Sequence, residues 1–210
     1  MLVIGITGII GSGKSLAVEY LAEKGYVVYD MDSKAKELMA MDDNIKQKIR
    51  KAFGEESFTP DGTPNTEFIS QAVFGQHNSK KLDLLNSIVH PAVIDDMIAF
   101  TESEMDNGTD VVFLESALIL ESGLDEGCDY IINIDSTKEI CLERVMARSG
   151  LTEAQVLERM NSQFSPEQKR QFADFTINNN STKKDFFSAL ELILDIVLSL
   201  PEKDFENTEE

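Results

Sequence analysis

A short apolar run at residues 3–7 meets Gly8-Ile9-Ile10-Gly11-Ser12-Gly13-Lys14-Ser15, and a helical pattern carried by Val18, Leu21 and Ala22 follows at once. Strand, glycine loop, helix is an order with few uses. Glycines let the backbone amides of a tight loop turn inward around phosphate oxygens, and the following helix adds the positive end of its dipole. Within G-x-x-x-x-G-K-[ST], the segment Gly8, Gly11, Ser12, Gly13 forms the cradle, and Leu16 continues it into the helix. Lys14, on a solvent-facing loop, would reach the β- and γ-phosphates, and Ser15 would offer an oxygen to Mg²⁺. A tight glycine turn without a ligand is the plainer alternative, but the flanking strand and amphipathic helix favour phosphate binding.

The rest of the chain repeats the alternation. Gly25 closes the first helix, and residues 26–29 read as a second strand ending at Asp30. Spacing is helical over 33–53, Pro60-Asp61-Gly62 marks a turn, and 66–74 and 80–89 read as helices, with Pro91 placed to start another that runs to about Met105. Residues 111–114 and 130–134 are apolar strands, and 138–173 is helical with breaks near Gly150 and Pro166. A last short strand at 175–177 precedes an amphipathic helix at 185–198. Strands separated by helices need crossovers, which predicts an α/β fold with a parallel five-stranded sheet covered on both faces. At 210 residues one sizeable domain is the default.

Charge narrows the partners. Thirty-eight acidic against 19 basic side chains give a formal charge of −19, a poor match to nucleic acid or an anionic membrane. A polyanionic ligand must therefore be held by local positive potential. Cys128 and Cys141 are too few for a disulfide framework and read as core thiols. The N-terminus lacks a secretory pattern, and the apolar stretch 189–200 is interrupted by Glu191 and Asp195, so a cytoplasmic protein without a membrane span is expected. The charged tail 201–210 is expected to fray.

Neither D-x-x-G after a strand with N-K-x-D nor an L-S-G-G-Q-like signature occurs, which leaves a small-molecule kinase among the users of such a loop. Transfer to a hydroxyl needs a carboxylate beside the γ-phosphate. Asp30 and Asp32 leave the second strand where an open sheet faces its ligand, although both could simply cap the next helix. Glu115 ends the strand 111–114, where it could hold a Mg²⁺ water or merely be an exposed strand-end residue. Arg144 and Arg148 share a helical face, with salt bridging to Glu139 or Glu143 as the alternative. His90 before Pro91 reads as a capping histidine, and Asn178-Asn179-Asn180 as a turn.

In combination, Gly8 to Ser15, Tyr29-Asp30-Met31-Asp32-Ser33-Lys34-Ala35, His90-Pro91 and Leu118-Ile119-Leu120-Glu121-Ser122-Gly123 resemble the dephospho-coenzyme A kinase family in order and spacing. Arg144 to Arg148, Arg159 to Gln163, and Ala173-Asp174 through Asn179 continue the likeness, which reaches about Leu198. The resemblance implies a P-loop NTPase three-layer fold, with a nucleotide-binding core at about 1–32, 108–137 and 174–200, a helical substrate subdomain at 33–107 and a lid at 138–173. It implies Mg²⁺-dependent transfer of the ATP γ-phosphate to the ribose 3′-hydroxyl of dephospho-coenzyme A, the last step of coenzyme A synthesis. Asp32 then matches the base and Asp30 its neighbour, Arg144 and Arg148 the lid arginines, and Asn179 the loop near adenine. His90, Leu118 and Glu121 fall in the acceptor pocket. Three positions depart from the family pattern: Ile9 where glycine is common, Leu16 where threonine is usual, and Ala117 where proline is usual. None removes a ligand-bearing group. Another nucleoside or nucleotide kinase of the same fold, or a nucleotide-binding regulator without turnover, are the rival readings.

Overall fold

The computed structural model describes residues 1–74 and 79–203. Five strands, β1 (Leu2–Thr7), β2 (Val27–Asp30), β3 (Val111–Glu115), β4 (Tyr130–Asp135) and β5 (Phe175–Asn178), form one parallel sheet in the order β2-β3-β1-β4-β5. The order in which strands are added reverses beside β1, and such a switch opens a crevice at the carboxyl ends of the strands. The register sets Glu115 opposite both Ile6 and Asp30, so the phosphate loop and two acidic strand ends come out along one edge.

Both faces of the sheet are buried, as the near-continuous apolar strands require. Leu2, Ile4 and Ile6 of β1 and Ile132 and Ile134 of β4 pack on one side under α1 (Lys14–Glu23) and α9 (Lys183–Val197). Val112, Leu114 and Ile131 point the other way, into a core shared with α2 (Met31–Met41), α3 (Asp43–Phe53), α4 (Thr66–Val73) and α5 (Ser79–Asp106). The segment 33–107 therefore has no separate core: it shares its apolar interior with the sheet.

Several boundaries differ from the sequence expectation for local reasons. The run 33–53 is two helices, because Asp42 adopts extended geometry and its Oδ1 accepts from the amides of Asn44 and Ile45, capping a new start. Conversely, Pro91 starts nothing: it lies inside α5, a single helix of 28 residues. Val89 and Val93 on either side of it are buried, and that packing outweighs the lost amide bond. The region 138–173 does break as expected near Gly150 and Pro166, into α6 (Lys138–Ser149), α7 (Glu153–Asn161) and α8 (Pro166–Phe172), the last two opened by capping boxes at Thr152 and Ser165. Pro201 to Lys203 are not frayed: the Pro201 carbonyl accepts from Tyr130 Oη at 2.8 Å and the Lys203 amide donates to Asp129 at 2.7 Å. Residues 204–210 lie outside the described residues.

Candidate active site

The loop after β1 is wound as its glycines allow. Gly11 and Gly13 have φ of 86° and 109°, and a Cβ at Gly13 would stand 2.1 Å from Asn179 Nδ2. Neighbours brace the loop from outside. Ser12 O accepts from Asn179 Nδ2 at 2.8 Å and from Arg144 at 3.3 Å, and the Ile10 amide donates to Gln163 Oε1 at 2.9 Å. The Ser12 hydroxyl is buried without a partner. Lys14 is not on a solvent-facing loop. It is the first residue of α1 and largely buried, with Nζ donating to Gly8 O at 3.1 Å and standing 3.7 Å from Glu115 Oε1. Ser15 and Leu16 line the cleft, with Ser15 exposed to it, and Gly8 is buried at the start of the loop.

The two aspartates separate. Asp30 is a helix cap, its carboxylate accepting from the Ser33 amide at 2.9 Å and the Ser33 hydroxyl at 2.6 Å. Asp32 lies in the first turn of α2 with no hydrogen-bond partner among the described residues. It keeps solvent contact yet stands between the cleft walls, and that crowding raises its carboxyl pKa; Lys14 pulls the other way and Asp30 adds to the rise. Glu115 is buried, which pushes its carboxyl up to about 7 against the opposing pull of Lys14. Burial lowers the His90 imidazole, and Asp32 partly restores it. His90 sits inside α5 and caps nothing.

Two joined cavities hold these groups. A phosphate-side cleft of about 760 Å³ is lined by the glycine loop, Glu115, Arg144, Arg148 and Asn179, and an acceptor-side cavity of about 480 Å³ by His90, Leu118 and Glu121. Asp32 and Ala117 line both, so the carboxylate stands where the two meet. Arg144 makes no salt bridge with Glu139 or Glu143: it donates to the carbonyls of Ser12 and Asn179, the latter at 2.9 Å. Glu121 lines the acceptor side, but its oxygens are already taken by the Phe164 amide at 2.6 Å and by Lys169.

Lys169 was invisible in sequence terms. Fully buried on α8, its Nζ donates to Ala117 O at 2.8 Å and Glu121 Oε2 at 2.9 Å and reaches Thr7 Oγ1 at 3.4 Å. One solvent-type lysine in a short polar helix gives no signal of this. Gln163 was legible only as part of the family pattern, and its brace on Ile10 is a tertiary contact.

A glycine loop at the carboxyl end of the central strand of a β2-β3-β1-β4-β5 parallel sheet, with arginines brought against it by a run of short helices, defines a P-loop kinase. A sequence profile described as dephospho-CoA kinase matches residues 2–185. A dephospho-CoA kinase of Fusobacterium nucleatum is 35% identical over 191 residues, covering 91% of this chain and 96% of that protein. Among solved structures, a Thermus thermophilus protein superimposes with a TM-score of 0.74 at 31% identity, covering 93% of this chain and 97% of its own. The dephospho-CoA kinase from Campylobacter jejuni has the same fold, with a TM-score of 0.67 at 24% identity over 93% of this chain and 96% of that one. The chain belongs to the dephospho-CoA kinase family.

Proposed function

We propose that this kinase transfers the γ-phosphate of ATP to the ribose 3′-hydroxyl of dephospho-coenzyme A, with Asp32 as the base. The observation that carries the assignment is the position of Asp32, an unpartnered carboxylate on the wall shared by the phosphate-side and acceptor-side cavities. An acceptor hydroxyl lying there reaches the γ-phosphorus from one side and the carboxylate from the other. As the 3′-oxygen bonds to phosphorus, the bond from phosphorus to the β,γ-bridging oxygen breaks, the hydroxyl proton passes to Asp32, and ADP leaves.

The remaining residues hold charge in place. The loop amides from Gly8 to Ser15, with Leu16 behind them, cradle the phosphates, and Lys14 exchanges its bond to Gly8 O for a phosphate oxygen. Arg144 and Arg148 close from α6 onto the transferring group, where a guanidinium fork matches phosphate oxygens. Asn179 braces the loop and borders the nucleotide. His90 and Leu118 line the acceptor ribose and base; Asp30 orients α2.

Mg²⁺ fits this site. The Ser15 hydroxyl and the Asp30, Asp32 and Glu115 carboxylates offer hard oxygen donors in the cleft, while Lys14, Lys36, Arg144, Arg148 and Lys183 line it to meet the phosphates. Among the described residues no cluster of three acidic, histidine or cysteine side chains could hold a metal alone, so the ion would rest on Ser15, a Glu115-bound water and the phosphates themselves. When bound, it neutralises charge on the β- and γ-phosphates. The division into nucleotide core, substrate helices at 33–107 and lid at 138–173 follows from the same roles. The enzyme is assigned to the cytoplasm, where ATP is made; among the described residues no helix is long and apolar enough to cross a membrane.

An ADP-release assay with a panel of acceptors tests the reading. Turnover with dephospho-coenzyme A well above that with nucleosides and nucleotides supports it. Preference for another acceptor, or ATP binding without transfer to any, rejects it.

A further inference from the structure

The acceptor-side cavity continues into a larger cleft of about 1080 Å³ between α4 and the lid helices α6 and α7. Phe74 and Arg159 line both spaces, so they stand at the passage between them. Arg159 is fixed there. Its guanidinium lies 4.6 Å from the centre of the Phe74 ring, one nitrogen donates to Gln155 O at 3.0 Å, and another donates to Ser70 Oγ.

What Arg159 lacks is a carboxylate. Of five arginines, Arg50 and Arg170 form ion pairs with acidic side chains, and neither lines these cavities. Arg144, Arg148 and Arg159 have no acidic partner within ion-pair distance among the described residues, and all three line them. In a chain with twice as many acidic as basic groups, unpaired arginines that line these cavities, Arg144 and Arg159 half-buried and Arg148 exposed, point to anions brought by ligands. Arg144 and Arg148 face the phosphate side. Arg159 alone faces the acceptor.

The acceptor's own chemistry supplies the matching anion. A dephospho-coenzyme A with its 3′-hydroxyl at Asp32 carries a 5′-diphosphate on the same ribose, and beyond that an uncharged diamide arm ending in a thiol. Leaving the acceptor cavity, such a ligand meets the guanidinium first and the larger cleft next. In the wall of that cleft Lys36 and Arg159 balance Glu67 and Glu158, which leaves no net charge to demand a further anion, and Gln71 and Gln155 offer amide partners.

Building on the acceptor assigned above, we infer that Arg159, held by Phe74 and Ser70, is the diphosphate anchor for dephospho-coenzyme A, and that the cleft between α4 and α7 receives its pantetheine arm. A fork already positioned over an aromatic ring binds a diphosphate with little further ordering.

Calorimetric titration of dephospho-coenzyme A into enzyme saturated with a non-hydrolysable ATP analogue tests this, using wild type, Arg159→Ala and Arg159→Lys. Arg159→Ala should weaken acceptor binding by roughly 10- to 100-fold, the range of a charge-assisted contact. Arg159→Lys should recover part of the loss, and the affinity for the ATP analogue should stay at the wild-type value in both. Unchanged acceptor affinity in Arg159→Ala overturns the anchor, and so does a loss that falls equally on both ligands, since that marks a general structural role. Failure of the underlying assignment would show separately, as wild-type enzyme that makes no coenzyme A from dephospho-coenzyme A and ATP.

Discussion

Asp30 and Asp32 are two residues apart and chemically identical, and their surroundings separate them. Asp30 spends both oxygens on Ser33, while Asp32 keeps its own free in a crowded cleft. Asp32→Asn should lower phosphoryl transfer by roughly 100-fold or more with ATP affinity retained, since an amide cannot take the proton. In the wild type the acid limb of the pH–rate profile should lie above the ordinary carboxylate range, because Asp32 must be ionised to act and its pKa is raised. A milder loss in Asp32→Asn than in Asp30→Asn would exchange their roles. Glu115 makes a different demand. Its carboxyl, 4.5 in the ordinary case, sits at about 7 in the folded chain. Its contribution to stability is therefore fully present below about 4.5 and lost as pH rises through 7, when the buried group must carry charge. Relative to Glu115→Gln, the wild type should lose up to about 3 kcal/mol between pH 4.5 and 8, measured by urea unfolding. Parallel pH dependence in the two proteins would show that the Glu115 carboxyl is not perturbed.

At the scale of elements, what was legible in the sequence was what local chemistry decides. The β1, loop and α1 unit carries its signal in consecutive residues, and the five strands announce themselves as apolar runs between turns. The break at Asp42 and the continuity through Pro91 were not legible, because the first needs a side chain to choose its own backbone and the second needs a core to overrule a local rule. The same limit hid Lys169, whose partners Ala117, Glu121 and Thr7 come from β1 and the segment after β3. That ammonium ties α8 to the acceptor wall. Lys169→Met should destabilise the fold by about 3–5 kcal/mol, because it strands the Glu121 carboxylate, and Lys169→Met with Glu121→Leu should recover most of that loss in urea unfolding. If the double variant is no more stable than the single one, the buried pair is not what Lys169 contributes.

At the scale of the whole molecule, a chain with a formal charge of −19 must admit ligands that are themselves anions. The cleft cations act at short range, whereas the repulsion of the whole surface acts at long range and is screened by salt, with a screening length of roughly 10 Å at 0.1 M. The association rate of ATP, followed by stopped flow, should therefore rise between 10 and 150 mM salt, by about several-fold. A falling rate would mean that the arginines already dominate the approach. The ends of the described chain lie far from this traffic. The Met1 ammonium pairs with Glu202, and the segment at Pro201 and Lys203 is bonded to Tyr130 and Asp129, where β4 begins. Met1 and residues 201–203 thus meet at the amino edge of the sheet, across the molecule from the phosphate loop. A chain joined from residue 203 to residue 1 and reopened at an exposed turn such as the one at Gly62 would have the order of its elements rewritten while the catalytic edge stays as it is.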